Sequence, residues 1–252
     1  MRVLVLDAGN TRLRAALAAA GGQWPRPGAW DRWPQPPLEG LGEVATTAAD
    51  PSPWLRDLAA ARAPDLAVLV SVVPRLDPLV ATALPGLRLA GLGCDLPFGL
   101  DLVAPETVGA DRLCNVAAAA AAGLGSALVV DAGTATTFDL LLNGVFVGGL
   151  IAPGMAFAAS QLGKTAARLA PVPFAPAPLA AGRSTAAAMG AGGWHAGIGG
   201  VRHIVAGLLD RHGPLPVIVT GGLGAHLADL GRYDQDWTLR GALVLAAPGG
   251  AG

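Results

Sequence analysis

The sequence is nearly without lysine: Lys164 is the only one, while arginine is plentiful. With 17 basic against 18 acidic residues and no Lys/Arg run, the chain lacks the electrostatic footprint that nucleic acids require. Cysteine is scarce too. Cys94 and Cys114 are the only two and have no partner at CxxC spacing, which excludes a zinc ribbon or a disulfide framework and leaves two plain thiols. Long apolar runs are missing although hydrophobic residues make up 52% of the 252. Much of that share is alanine, and the longest alanine-rich run, Val116 to Ala122, is far below the roughly 20 apolar residues that span a bilayer. No membrane partner is expected. The opening Met1-Arg2-Val3-Leu4-Val5-Leu6 enters an apolar strand pattern with no basic leader or cleavage site, so a cytoplasmic protein is expected.

What the chain does have is an internal repeat. Val3-Leu4-Val5-Leu6-Asp7-Ala8-Gly9-Asn10-Thr11 reappears almost half the chain later as Ala127-Leu128-Val129-Val130-Asp131-Ala132-Gly133-Thr134-Ala135. Each copy reads as a buried strand ending on an aspartate, a glycine turn, and a second apolar run, Leu13 to Ala19 or Thr136 to Leu142. Asn143-Gly144 then signals a hairpin into a third strand, Val145 to Ile151. Elsewhere helix and strand patterns alternate as in an α/β protein. Helices are expected over Pro51 to Ala63, Asp111 to Ala122 and Thr185 to Asp210, the last with glycine interruptions, and strands over Leu66 to Val73 and Leu215 to Thr220. The Pro-rich stretches Trp24 to Pro37 and Pro171 to Pro178 read as surface loops. Two similar lobes, 1–122 and 123–252, follow from the repeat, with the boundary near Gly123-Leu124-Gly125.

A strand ending in Asp-x-Gly followed by Asn-Thr or Thr puts a carboxylate at a sheet edge, next to backbone amides and a hydroxyl. Amides and hydroxyls hold phosphate oxygens, and a carboxylate suits Mg²⁺. One such turn also closes hairpins of no function; two at the heads of similar lobes point to the two ends of a triphosphate. Asp111, at the start of a helix, has a capping role open to it through the macrodipole, and Arg112 that of a solvated first-turn residue. The other motifs fail. Gly163-Lys164-Thr165 lacks the first glycine of a phosphate-binding P-loop, since position 158 is alanine, and Gly222-Leu223-Gly224 has Leu227 where a dinucleotide fingerprint needs glycine. His195, His203, His212 and His226 form no ligand pattern, and the six tryptophans read as packing or loop anchors.

Taken in order, Asp7-Ala8-Gly9-Asn10-Thr11, Gly109-Ala110-Asp111-Arg112, Asp131-Ala132-Gly133-Thr134-Ala135-Thr136-Thr137 and Thr220-Gly221-Gly222 resemble the motifs of type III pantothenate kinases. Gly148-Gly149-Leu150-Ile151-Ala152-Pro153-Gly154 and Gly182-Arg183-Ser184-Thr185 match further segments of that family, so the resemblance covers the whole chain. It implies the fold of the acetate and sugar kinase, Hsp70 and actin superfamily, α/β with two ribonuclease H-like lobes and a nucleotide between them. It also implies ATP-dependent phosphorylation of pantothenate, at the start of coenzyme A synthesis. Asp7, Ala8, Gly9, Asn10, Thr11, Arg12, Leu13 and Arg14 would then bind the ATP phosphates, with Asp7 near Mg²⁺, and Thr134 would add a phosphate contact. Asp131 matches a position associated with a monovalent cation, K⁺ or NH₄⁺; Thr220, Gly221 and Gly222 would lie near the adenosine. Gly109, Ala110, Asp111 and Arg112, with Thr185, would hold pantothenate, Asp111 being the general base. A homodimer is implied as well. In one place the chain departs from the family: Leu102 stands where an aromatic, usually tyrosine, precedes the Gly-x-Asp-Arg segment, and Phe98 is a nearby ring that could fill the space. Two alternatives stay open. One is another small-molecule kinase of the superfamily, which should lack Gly-Ala-Asp-Arg. The other is a noncatalytic regulator resembling the Bvg accessory factor, which would have no use for all three aspartates.

Overall fold

The computed structural model describes residues 1–19, 37–47, 50–165 and 169–246. The expected loop Trp24 to Pro37, except for Pro37 itself, lies outside these residues. In chain order the elements are β1 (Arg2–Ala8), β2 (Arg12–Ala19), β3 (Leu38–Ala45), α1 (Ser52–Arg62), β4 (Leu66–Ser71), α2 (Asp77–Ala83), β5 (Arg88–Leu89), β6 (Gly99–Leu100) and α3 (Ala110–Ala121). They continue with β7 (Ala127–Ala132), β8 (Ala135–Leu142), β9 (Val145–Pro153), α4 (Met155–Thr165), α5 (Thr185–His212), β10 (Val217–Thr220), β11 (Arg232–Tyr233) and α6 (Trp237–Ala246). The chain groups into two compact units: 1–126 with 140–148 and 236–252, and 127–139 with 149–235.

In the first unit Val3, Leu4, Val5 and Leu6 are all buried, as a strand covered on both faces must be. β1 pairs antiparallel with β2 and parallel with β4, in a sheet ordered β3-β2-β1-β4-β5. Leu4, Leu6, Leu13, Leu55, Leu69, Leu76 and Val80 form one core cluster under α1 and α2. Each such side chain contributes roughly 1.5–3 kcal/mol by leaving water. α6 packs on β1 and β4 and also on α3. The α3–α6 contact is close because Gly241 faces the Cys114 backbone, where a Cβ would overlap the Cys114 carbonyl. The tip of the β8–β9 hairpin belongs to this unit, with Asn143 at φ 51° and Gly144 at φ 76°, the left-handed pair a two-residue turn needs. There β6 lies parallel to β9, Gly99 beside Val145.

In the second unit β7 pairs parallel with β10, and β10 with β11. β10 begins at Val217, two residues later than expected, because Pro216 has no N–H for the ladder; its carbonyl still accepts from the Leu128 N–H at 2.9 Å. α5 runs unbroken for 28 residues through its glycines. Glycine costs a helix interior about 1 kcal/mol each. At Gly197 a Cβ would press on Met155 and Phe174, and at Gly193 on Ala159, so these two let α4 approach. Residues 171–178 carry no helix or strand. Among the described residues no helix is long and apolar enough to cross a membrane.

Candidate active site

Asp7 lies one residue before the end of β1, at the carboxyl edge of the first sheet, half-buried, opposite Arg14 on β2 and beside Val70 on β4. Here β1 has an antiparallel neighbour on one side and a parallel one on the other. The turn closes when the Gly9 N–H donates to the Arg12 carbonyl at 3.0 Å. Thr46 braces it, its N–H donating to the Thr11 carbonyl at 3.0 Å and its hydroxyl to the Asn10 carbonyl at 2.7 Å. Asn10, Thr11 and Arg12 are exposed at the tip. Ala8 and Leu13 are core residues, so only their backbones can meet a ligand. Arg12 pairs with Glu43 at 2.6 Å, and Arg14 with Asp236 at 2.7 Å.

Gly109 caps α3 with extended backbone and no capping side chain, so Asp111 is not the helix cap. A Cβ on Gly109 would come within 2.5 Å of an Asp111 carboxylate oxygen and 3.5 Å of Val72 Cγ1, so glycine leaves the space the carboxylate occupies. The Val72 N–H donates to the Ala8 carbonyl at 3.0 Å, which sets the start of α3 beside the end of β1. Asp111 Oδ1 accepts from the Arg112 N–H at 2.8 Å. Burial raises the Asp111 pKa, against the opposing pull of that hydrogen bond and of the Arg112 charge. The fully buried Cys114 thiol is pushed well above its ordinary value by burial first and then by the charges of Asp111 and Asp7, so both carboxylates act on one thiol. Through Val72 the helix start that bears Asp111 and Arg112 thus lies beside the strand end that bears Asp7, all within the first unit.

Sequence inspection missed Phe146. Its fully buried ring lies 5.6 Å from the Arg112 guanidinium carbon and meets Phe98 edge-on at 6.2 Å. Phe98 is thus buried edge-on against Phe146. Leu102 itself abuts Gly148, its Cδ2 3.4 Å from where a Cβ would stand. No local pattern singles out Phe146, since a phenylalanine in a strand reads as core.

In the second unit Asp131 lies one residue before the end of β7, paired with Thr220 on β10. The turn closes from the Gly133 N–H to the Ala135 carbonyl at 3.0 Å, one residue sooner than in the first copy. Thr134 therefore corresponds to Thr11, not to Asn10 as a direct alignment of the repeats pairs them. Gly154 donates to the Thr134 carbonyl at 3.0 Å, and a Cβ there would overlap the Gly133 and Thr134 carbonyls. Gly221, at φ 86°, sits where a side chain would overlap Asp131 Oδ1; Gly222 is exposed. Among the described residues the buried Thr220 hydroxyl has no hydrogen-bond partner, nor has that of Thr136. A carboxylate with an orphaned hydroxyl beside it is an all-oxygen donor set that suits a hard cation. Thr185 is exposed in the first turn of α5, whose cap is the Ser184 hydroxyl accepting from the Ala187 N–H at 3.2 Å.

A family profile described as type III pantothenate kinase matches residues 3–207. A protein of Acidiphilium cryptum bearing that name is 34% identical over 96% of this chain and 93% of its own. Another of Hyphomonas neptunium is 31% identical over 96% and 97%. Among solved structures, a conserved putative Baf family transcriptional activator from Campylobacter jejuni superposes with a TM-score of 0.55 at 20% identity, covering 96% of both chains. A putative 2-dehydro-3-deoxygalactonokinase from Sinorhizobium meliloti gives 0.55 at 17%, covering 97% of this chain and 95% of its own. At such identities these two show a shared α/β fold.

Proposed function

Because the chain belongs to the type III pantothenate kinase family, we propose that Asp111 is its general base and that the turn from Asp7 to Arg14 holds the phosphates of ATP. The protein is an enzyme, and its reaction is the ATP-dependent phosphorylation of pantothenate to 4′-phosphopantothenate in coenzyme A biosynthesis. One observation carries the assignment of Asp111: a half-buried carboxylate with a raised pKa, in the space left by Gly109, beside the strand end that bears Asp7. A carboxylate raised toward the working pH is a better proton acceptor than an ordinary one.

Asp111 takes the proton of the pantothenate hydroxyl as that oxygen bonds to the γ-phosphorus. The bond from that phosphorus to the bridging oxygen breaks, and ADP leaves. Arg112, steadied over Phe146 and set one residue from the base, grips the pantothenate carboxylate or amide and so aligns the hydroxyl; Gly109, Ala110 and Thr185 complete the substrate contacts. Catalysis of phosphoryl transfer is mostly such positioning with charge neutralisation. Thr134 contacts phosphate, and Thr220, Gly221 and Gly222 lie by the adenosine. Asp7 would hold Mg²⁺ with the phosphates, the ion supplying charge neutralisation there, and Asp131 with Thr220 would hold K⁺ or NH₄⁺.

The same proposal takes the chain as a cytoplasmic homodimer. Exposed apolar side chains on β9 and α4, namely Leu150 (44%), Ile151 (64%), Phe157 (49%) and Leu162 (48%), support a protein partner there. Coupled measurement of ADP release tests the substrate. Release should depend on pantothenate and stay at background with a panel of small sugars; equal release with a sugar overturns the assignment.

A further inference from the structure

The helix that carries Asp111 is held by a second helix through buried polar contacts that the reaction scheme does not use. Asp111 and Asn115 are four residues apart on α3, one turn along the same face. Asn115 is fully buried, and its side-chain Oδ1 accepts from the Thr238 hydroxyl at 2.9 Å. Its backbone carbonyl accepts from the Trp237 indole N–H at 2.9 Å, and that ring is fully buried too. One turn further on, Gly241 brings the α6 backbone against the Cys114 carbonyl, leaving no room for slippage. Just before the helix, Asp236 forms its ion pair with Arg14, the residue opposite Asp7 across the β1–β2 hairpin. α6 thus touches both chain segments that bear the first unit's carboxylates.

We propose that α6 is a positioning clamp for catalysis, with Trp237 and Thr238 fixing the rotation of α3 through Asn115, and with it the aim of the Asp111 carboxylate at the substrate hydroxyl. The clamp lies beyond residue 207, where the family profile ends. A hydrophobic contact alone would leave α3 free to turn by a few degrees, because alanines such as Ala117 and Ala118 present a smooth face. Two directional hydrogen bonds to one buried residue remove that freedom. Misplacing a reacting group by about 1 Å can cost about 10²-fold in rate. The proposal rests on Asp111 being the general base.

The test compares Thr238→Val, Thr238→Ser, Trp237→Phe and Asp111→Asn, with the double variant Asp111→Asn/Thr238→Val, in the full-length enzyme. Thr238→Val removes one donor at nearly constant volume, and Trp237→Phe removes the other while leaving a small cavity, whose packing cost a stability measurement reads separately from the pH profile. Each should lower kcat about tenfold or more, leave KM for ATP within about twofold and displace the acid limb of the pH–rate profile. Thr238→Ser keeps the hydroxyl and should keep kcat near that of the wild type. In the Asp111→Asn background Thr238→Val should lower kcat no further. If Thr238→Val does not fold, Trp237→Phe is read by the same criteria. Wild-type kcat and pH profile in Thr238→Val or Trp237→Phe, while Asp111→Asn loses turnover, overturns the clamp alone. An undiminished effect of Thr238→Val in the Asp111→Asn background also overturns it, as a merely structural contact. Wild-type kcat in Asp111→Asn overturns the base assignment and the clamp with it.

Discussion

The guanidinium of Arg112 lies over the face of Phe146, 5.6 Å from its centre, although 34 positions of sequence separate them and one is on a helix, the other on a strand. A cation over a ring gains about 0.5–1 kcal/mol at a partly exposed site. Phe146→Leu keeps an apolar filler and removes the quadrupole. KM for pantothenate should rise about two- to fivefold, at 1.4 kcal/mol per decade, with KM for ATP unchanged. Steady-state kinetics decides; an unchanged KM for pantothenate means the ring does not orient Arg112.

Asp111→Asn should lower turnover by about 10²–10⁴-fold, the usual contribution of a general base. The same variant has a stability signature. The folded-state pKa of Asp111 is raised by burial, so the fold favours the protonated carboxyl, and that advantage is lost as pH rises through the raised value. Asparagine stays neutral throughout. Thermal melts should show Asp111→Asn above wild type at pH 8, with the gap closing below the ordinary carboxyl value of 3.8. A variant that melts lower at pH 8 contradicts a desolvated carboxylate.

Gly154→Ala would drive a methyl into the carbonyls of Gly133 and Thr134. Overpacking of this kind costs about 1–3 kcal/mol, and since the second turn moves, KM for ATP should rise. Gly190→Ala is the control: among the described residues nothing lies within 4 Å of its Cβ position in α5. Replacing a helical glycine by alanine there should stabilise by about 0.5–1 kcal/mol. Urea denaturation of both variants separates the two predictions.

Thr220→Val removes a buried hydroxyl that has no partner among the described residues, so it should leave Tm unchanged or raise it. If Asp131 and Thr220 hold a monovalent cation, wild-type activity should require Mg²⁺ and rise in K⁺ or NH₄⁺ relative to Na⁺ at matched ionic strength. In Thr220→Val that preference should flatten. Equal wild-type rates in all three salts exclude the cation role.

Leu102→Tyr restores the aromatic that the resemblance leads one to expect, beside Gly148. An aromatic contact adds about 0.5–1.5 kcal/mol beyond area. KM for pantothenate should fall, by less than about tenfold. A rise in KM, with ATP affinity unchanged, shows that Leu102 already fills that wall.

The turns that hold Asp7 and Asp131 were legible because each is a local pattern: an apolar run that can only be a buried strand, an aspartate, and a glycine that permits a tight reversal. Asn143-Gly144 declared its hairpin for the same reason, since both residues tolerate the left-handed backbone that the turn demands. The helix over Asp111 to Ala122 was legible from its pattern as well. What surrounds Asp111 was not. Phe146, Asn115, Trp237 and Thr238 act only through partners distant in the chain, and nothing within a few residues of each distinguishes it from ordinary core. The one-residue shortening of the second turn was hidden too, because the two copies align without a gap and only the hydrogen bonds of Gly9 and Gly133 reveal the difference. The sequence by itself determined the strands, the turns and the chemistry available at their ends. Tertiary structure decided the raised pKa of Asp111, the setting of Arg112 and the bracing of α3, because desolvation, ring contact and buried hydrogen bonds arise only when separate segments pack.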